Sequence, residues 1–125
     1  MAKKILVVDD SAAIRQSVTY TLDQAGYETM AAEDGKDGLG KLADGPFDLI
    51  LTDVNMPNMD GISLVREVRA KDDYKFTPIV VLTTESQGSK MDEGKAAGAT
   101  GWIVKPFDAE KLLGVVKKAY WIGDG

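Results

Sequence analysis

Five short apolar runs, set apart by stretches of helical periodicity, constrain the fold of this chain more than any other feature. Ile5-Leu6-Val7-Val8, a weaker run from Tyr27 to Ala32, Leu49-Ile50-Leu51, Ile79-Val80-Val81-Leu82 and Trp102-Ile103-Val104 all have strand length. Most are continuous rather than alternating, which suits strands covered on both faces, and the intervening helices fit parallel crossover units. The expected architecture is a three-layer α/β domain. Ile14, Val18 and Leu22 make one buried helical stripe, and Leu112, Val116 and Ala119 make another. Leu64, Val65 and Val68 support a third helix that opens after Asp60-Gly61. The second and fourth helices carry glycines, Gly35, Gly38 and Gly40 in one and Gly88, Gly94 and Gly98 around the other. Each interior glycine costs about 1 kcal/mol relative to alanine, so these two elements are expected to move most readily. At 125 residues, with no repeat or linker, residues 1–125 read as one domain with no second unit. Only Gly123-Asp124-Gly125 reads as a loose end.

Two absences in the composition remove most catalytic chemistry. The chain has no Cys and no His, which excludes disulfides, thiolate nucleophiles, imidazole bases and zinc sites built from either residue. Carboxylates, hydroxyls and amines remain, and oxygen ligands suit hard cations such as Mg²⁺. A formal net charge of -5 disfavours nucleic acid and anionic lipid as partners. No apolar run approaches the roughly 20 residues that span a bilayer. The apolar start meets Asp9 and Asp10 too soon for a signal peptide, so a cytoplasmic location is expected.

In four of the five runs the apolar stretch ends in a residue suited to phosphate or metal chemistry. The first ends in Asp9-Asp10, the third is followed by Asp53, the fourth by Thr83-Thr84 and the fifth by Lys105. The carboxyl ends of parallel strands lie along one edge, where ligands of open α/β sheets bind. Each residue has a plainer use: Asp10 or Ser11 can cap the first helix, Asp53 can open the turn-rich Asn55–Gly61 segment, Thr83 can be a polar strand end, and Lys105 a solvated charge before Pro106. Four separate strand ends supplying complementary groups is the more specific pattern. Three neighbouring carboxylates repel one another unless a cation neutralises them. Mg²⁺ fits better than Ca²⁺, because it is commonly held by one or two carboxylates with room for a phosphate oxygen. A carboxylate beside it can act as a nucleophile toward phosphorus, with the metal, a lysine and a hydroxyl sharing the phosphoryl charge.

These segments resemble the receiver domains of two-component response regulators, in particular single-domain chemotaxis proteins of the CheY type, from about Lys4 to Trp121. Ile5 to Ser11 is similar to the family's acidic segment, Asp53 to Gly61 to its phosphorylation loop, and Val81 to Ser86 and Gly98 to Phe107 to its two switch segments. The resemblance implies a flavodoxin-like, five-stranded parallel sheet of order 2-1-3-4-5 with five helices. It implies that Asp53 accepts a phosphoryl group from a histidine kinase, and that Mg²⁺ is held by Asp10, Asp53 and the backbone carbonyl of Asn55, with Asp9 acting mainly through water. Lys105 and Thr83 would contact the phosphoryl group, Asn55 and Glu85 would tune its hydrolysis, and the Lys105-Pro106 bond would be cis. Thr83, Trp102, Lys90 and Lys95 would form the switch and partner face, and Trp102 departs from the family's usual Tyr or Phe. A flagellar motor switch protein and a phosphatase are the partners implied, for a monomer in the cytoplasm. Signalling to a motor and service as a phosphate sink or shuttle remain alternatives. A haloacid-dehalogenase-like phosphatase is disfavoured because Asn55 stands where its second aspartate is needed. A flavodoxin-type binder is disfavoured because Asp10-Ser11-Ala12-Ala13 offers no glycine-rich phosphate cradle.

Overall fold

A computed structural model describes residues 3–84 and 88–124. Strands β1 (Lys4–Val8), β2 (Glu28–Ala32), β3 (Leu49–Asp53), β4 (Ile79–Thr84) and β5 (Gly101–Lys105) alternate with helices α1 (Ala12–Gln24), α2 (Gly35–Lys41), α3 (Gly61–Arg69), α4 (Gly88–Ala97) and α5 (Ala109–Asp124). All pairings are parallel and the order is β2-β1-β3-β4-β5. The fold class and strand order expected from the sequence are those observed.

Alternation along the strands divides the core between two faces. Leu6, Val8, Ile50, Ile79 and Val81 join Leu64, Val65 and Val68 of α3 on one side. Ile5, Val7, Leu49, Leu51, Val80 and Leu82 join Val18 and Leu22 of α1 and Leu112 and Val116 of α5 on the other. The apolar residues of the central strands thus meet a helix layer on one face or the other, which is why β1, β3 and β4 read as unbroken apolar runs. Edge strand β2 is covered less: Glu28 is exposed and Thr29, Met30 and Ala31 are half-buried.

Some local features differ from the sequence reading. Short 3₁₀ turns at Leu42–Asp44 and Asp72–Tyr74 were not anticipated. The second is tied back to the first, because the buried Tyr74 hydroxyl donates to the Leu42 carbonyl at 2.8 Å. Strand β4 continues through Thr83 and Thr84, which pair with Val104 and Lys105 of β5, as suits a β-branched residue between neighbouring strands. Lys105-Pro106 is cis as expected, and Gly45-Pro46 is cis as well.

Arg69, at the end of α3, binds three segments together. Its guanidinium donates to the carbonyls of Tyr74 at 2.9 Å, Thr77 at 2.7 Å and Gly98 at 3.0 Å. Gly98 has φ +112°, and a Cβ there would press on the aliphatic part of Arg69. The C-terminal end of α4 is thereby fastened to α3 and to the start of β4.

Candidate functional site

The β1 and β3 ends place three carboxylates together. Asp9, Asp10 and Asp53 each offer an oxygen within 4.8 Å of the others. Asp9 is fully buried, Asp53 nearly so, and Asp10 exposed. Ser11, not Asp10, caps α1: its side chain accepts from Ile14 N–H at 3.3 Å. That leaves the Asp10 carboxylate without a hydrogen bond or ion pair among the described residues and free for a ligand. Asp9 is held on two sides, its Oδ1 accepting from Ser11 N–H at 2.9 Å and its backbone carbonyl from Arg15 at 2.6 Å.

Lys105, from the end of β5, enters this cluster as its resident cation. Its Nζ lies 3.2 Å from Asp9 Oδ2 and 3.1 Å from Asp53 Oδ1. Burial works to lower the lysine pKa, but the two carboxylates outweigh it and hold the ammonium above its ordinary range. Oδ1 of Asp53 also accepts from Val54 N–H at 2.9 Å, so its second oxygen, Oδ2, is the one without a hydrogen bond or ion pair among the described residues. Across the sheet from Asp53, Leu82 is its β-partner and Thr83 follows. Thr83 is fully buried, and its Oγ1 is the one buried side-chain polar atom among the described residues without a hydrogen bond. Such an orphan costs about 1–3 kcal/mol, which an acceptor arriving beside it would recover.

The sequence-derived residues therefore divide clearly. Asp9, Asp10, Asp53, Thr83 and Lys105 gather at the carboxyl edge of the sheet, and Asn55 is exposed two residues past Asp53. Trp102 lies on β5 opposite Val81 and is 41% exposed, and Lys95 is exposed on α4. Glu85 and the side chain of Lys90 lie outside the described residues. Arg15, Asp34 and Asn58 were missed. Asp34 followed by Gly35, with Asp37 three residues on, is a legible helix-start signal; Arg15 and Asn58 act on partners that no local pattern betrays.

The donor set fits a hard divalent cation. All candidate ligands are oxygens, Asp10 is uncommitted, and the ammonium of Lys105 pairs with only two of the three carboxylates. The charge surplus is visible at Asp53, whose carboxyl is raised above the ordinary 3.8 by burial first and by the charge of Asp9 second, against the opposing pull of Lys105. A carboxyl raised on folding stabilises the fold fully below its unfolded pKa, and that contribution is lost as pH rises through the folded value. In chelator at neutral pH, Asp53→Asn should therefore melt above wild type, with the gap closing as pH falls toward 3.8. Melting curves across that range check the sign, and an Asn variant that melts lower at neutral pH would show the lysine contact to be dominant.

The strand order, with oxygen ligands and a lysine at the carboxyl edge, defines a doubly wound α/β protein with an acidic ligand pocket. The family model for the response regulator receiver domain matches residues 5–117. The chain belongs to the response regulator receiver family, whose members are signalling switches. It is 39% identical over 118 residues to chemotaxis protein CheY-3 of Vibrio cholerae, covering 94% of this chain and 91% of that one. Chemotaxis protein CheY of Pseudomonas aeruginosa is likewise 39% identical, over 94% of this chain and 95% of its own. The structure of chemotaxis response regulator CheY4 of Vibrio cholerae superposes with a TM-score of 0.91 at 51% identity, covering 95% of this chain and 99% of that one.

Proposed function

We propose that this chain is a CheY-type chemotaxis regulator in which Asp53 Oδ2 takes a phosphoryl group from a histidine kinase. The observation that carries this reading is the state of the two polar groups left over in the pocket. One is an oxygen of a buried carboxylate and the other the buried Thr83 hydroxyl, neither of which has a partner among the described residues. In the transfer, Oδ2 forms a bond to phosphorus while the bond from phosphorus to the donor histidine nitrogen breaks, and that nitrogen keeps the electron pair. Lys105 is already on Oδ1 and stands ready to pair with a phosphoryl oxygen, while Val54 N–H fixes the carboxylate plane. Asp10, Asp53 and the Asn55 carbonyl are the residues assigned to hold Mg²⁺, with Asp9 behind them. When bound, Mg²⁺ supplies charge neutralisation for the incoming phosphoryl oxygens.

Thr83 then has an acceptor to move toward, which is the proposed link from the phosphoryl group to β5 and Trp102. The partner face assigned to α4, β5 and α5 carries Trp102 and Lys95, with Lys90 placed there by its sequence position. It is bordered by a groove of about 300 Å³ lined by Trp102, Val115 and Lys118. A flagellar motor switch protein is the proposed target, in keeping with the chemotaxis proteins to which the chain is similar. Asn55 and Glu85 are assigned to the path of the hydrolytic water, and a phosphatase to assisting that hydrolysis. A single receiver domain acting as a cytoplasmic monomer completes the reading; among the described residues no helix is long and apolar enough to cross a membrane.

Acetyl phosphate with Mg²⁺ tests the chemistry without the kinase. Wild type should gain one phosphoryl group that hydroxylamine removes, as it does from an acyl phosphate, and Asp53→Asn should gain none. A phosphoryl group mapped by mass spectrometry to Thr83 would overturn the assignment.

A further inference from the structure

The turn between β2 and α2 is bonded to the tip of the loop that follows Asp53, at a point none of the chemistry above uses. Asp34 is 7% exposed and commits both carboxylate oxygens. Oδ1 caps α2 by accepting from Asp37 N–H at 2.7 Å, and Oδ2 accepts from the Asn58 side-chain amide at 2.7 Å. Beside this pair, Gly35 N–H donates to the Met59 carbonyl at 3.2 Å. A Cβ on Gly35 would overlap that same carbonyl oxygen, so only glycine admits the approach. Asn58 has φ 68° and is the one non-glycine residue with positive φ among the described residues. That conformation costs about 1–2 kcal/mol for an ordinary residue and less for asparagine, and here it aims the amide at Asp34. The loop is closed at its root by Gly61 N–H on the Val54 carbonyl at 2.9 Å. Between root and tip lies Asn55, exposed and with no side-chain hydrogen bond among the described residues.

We propose that Asp34 and Asn58 form a latch that pre-organises the 54–60 loop, so that the Asn55 carbonyl is already placed for the divalent cation. The inference rests on the cation reading given above. A loop of this length, left free, would pay the entropy of ordering each time a ligand bound; held at both ends, it does not. Asp34 and Asn58 are positioning residues, since they act on the cation through the loop backbone. Linkage adds a reciprocal consequence: if the latch favours the cation, the cation must tighten the latch by the same factor.

Titration of the whole protein with Mg²⁺, followed by amide chemical shifts in NMR spectra, reads the affinity and reports the fold in the same measurement. Asn58→Gly removes the amide donor and keeps the positive φ without changing charge. Asp34→Ser keeps a cap for α2 and loses the oxygen that reaches Asn58. Each variant should keep a dispersed spectrum and bind Mg²⁺ roughly 3- to 10-fold more weakly, and the double variant should be no weaker than the poorer single, because one contact is being removed twice. In wild type, Mg²⁺ should slow hydrogen exchange at Gly35 N–H, a readout that a purely structural contact would not move. Wild-type affinity in Asn58→Gly, or losses that simply add in the double variant, would overturn the latch. Asp10→Ala separates the two readings: if it binds Mg²⁺ as wild type does, the cation assignment itself fails, whatever the latch variants do.

Discussion

Lys105→Met should melt far below wild type in chelator, and Mg²⁺ should restore most of the difference. Lys105 is the cation that faces Asp9 and Asp53, the first fully buried and the second nearly so. Removing one member of a buried ion pair costs about 3–5 kcal/mol because the remaining charge stays buried without its partner. The lysine side chain is 20% exposed and Asp9 keeps its bond from Ser11 N–H, so the low end applies, about 3 kcal/mol, or roughly 10 °C in melting temperature. Methionine keeps the length and apolar bulk of the stem, so the loss is one of charge. The deficit should shrink as pH falls and Asp53, whose carboxyl is raised by burial and by Asp9, takes up a proton. Divalent cation should bind the variant more tightly than wild type, since the ammonium no longer repels it, and the rise in melting temperature should begin at lower Mg²⁺. A variant that melts within 2 °C of wild type in chelator would mean that the pocket is wet enough to solvate its own carboxylates.

How far these features were legible in the sequence depends on the range of the interactions behind them. β1, β3 and β4 announce themselves because both faces of each are covered, so no polar residue interrupts the run. The edge strand β2, Glu-Thr-Met-Ala-Ala, is a weak signal for the same reason: one side lacks a neighbouring strand, and its exposed start tolerates charge. The five site residues were legible because strand ends in a parallel sheet must converge, whatever the intervening helices do. Arg69 shows the limit. Nothing near it in the chain indicates that its guanidinium serves carbonyls at positions 74, 77 and 98, since carbonyls leave no mark on sequence. The Asp34–Asn58 contact spans 24 residues and is equally silent, although Asp34 is recognisable as a helix cap. The cap of α1 was readable only as a choice between Asp10 and Ser11, and the choice matters because it decides which residue is free for a ligand.

A single methyl group at Gly61 should be among the most damaging small changes available in this chain. Gly61 is the first residue of α3, and a Cβ there would overlap the Asp53 carbonyl oxygen and stand 2.9 Å from the Asp53 carbonyl carbon and 3.1 Å from Val54 Cα. All three neighbours are backbone atoms, so no rotamer change relieves the contact; the peptide between Asp53 and Val54 or the start of α3 has to move. Overpacking of this kind costs up to about 3 kcal/mol. The peptide between Asp53 and Val54 also carries Val54 N–H, which holds Asp53 Oδ1, and the start of α3 carries Gly61 N–H, which closes the loop on Val54. Gly61→Ala is therefore expected to lose about 3 kcal/mol in urea denaturation and to accept phosphoryl groups from acetyl phosphate far more slowly at temperatures where it remains folded. The same substitution at Gly40 or Gly114 supplies the control. Both are exposed helical positions where a Cβ meets nothing within 4 Å, so alanine there should stabilise by up to about 1 kcal/mol. Opposite signs from one chemical change would locate the effect in the contact with Asp53 rather than in helix propensity. Equal gains at all three positions would mean that the backbone around Asp53 yields freely, and that the carboxylate is held by Lys105 alone.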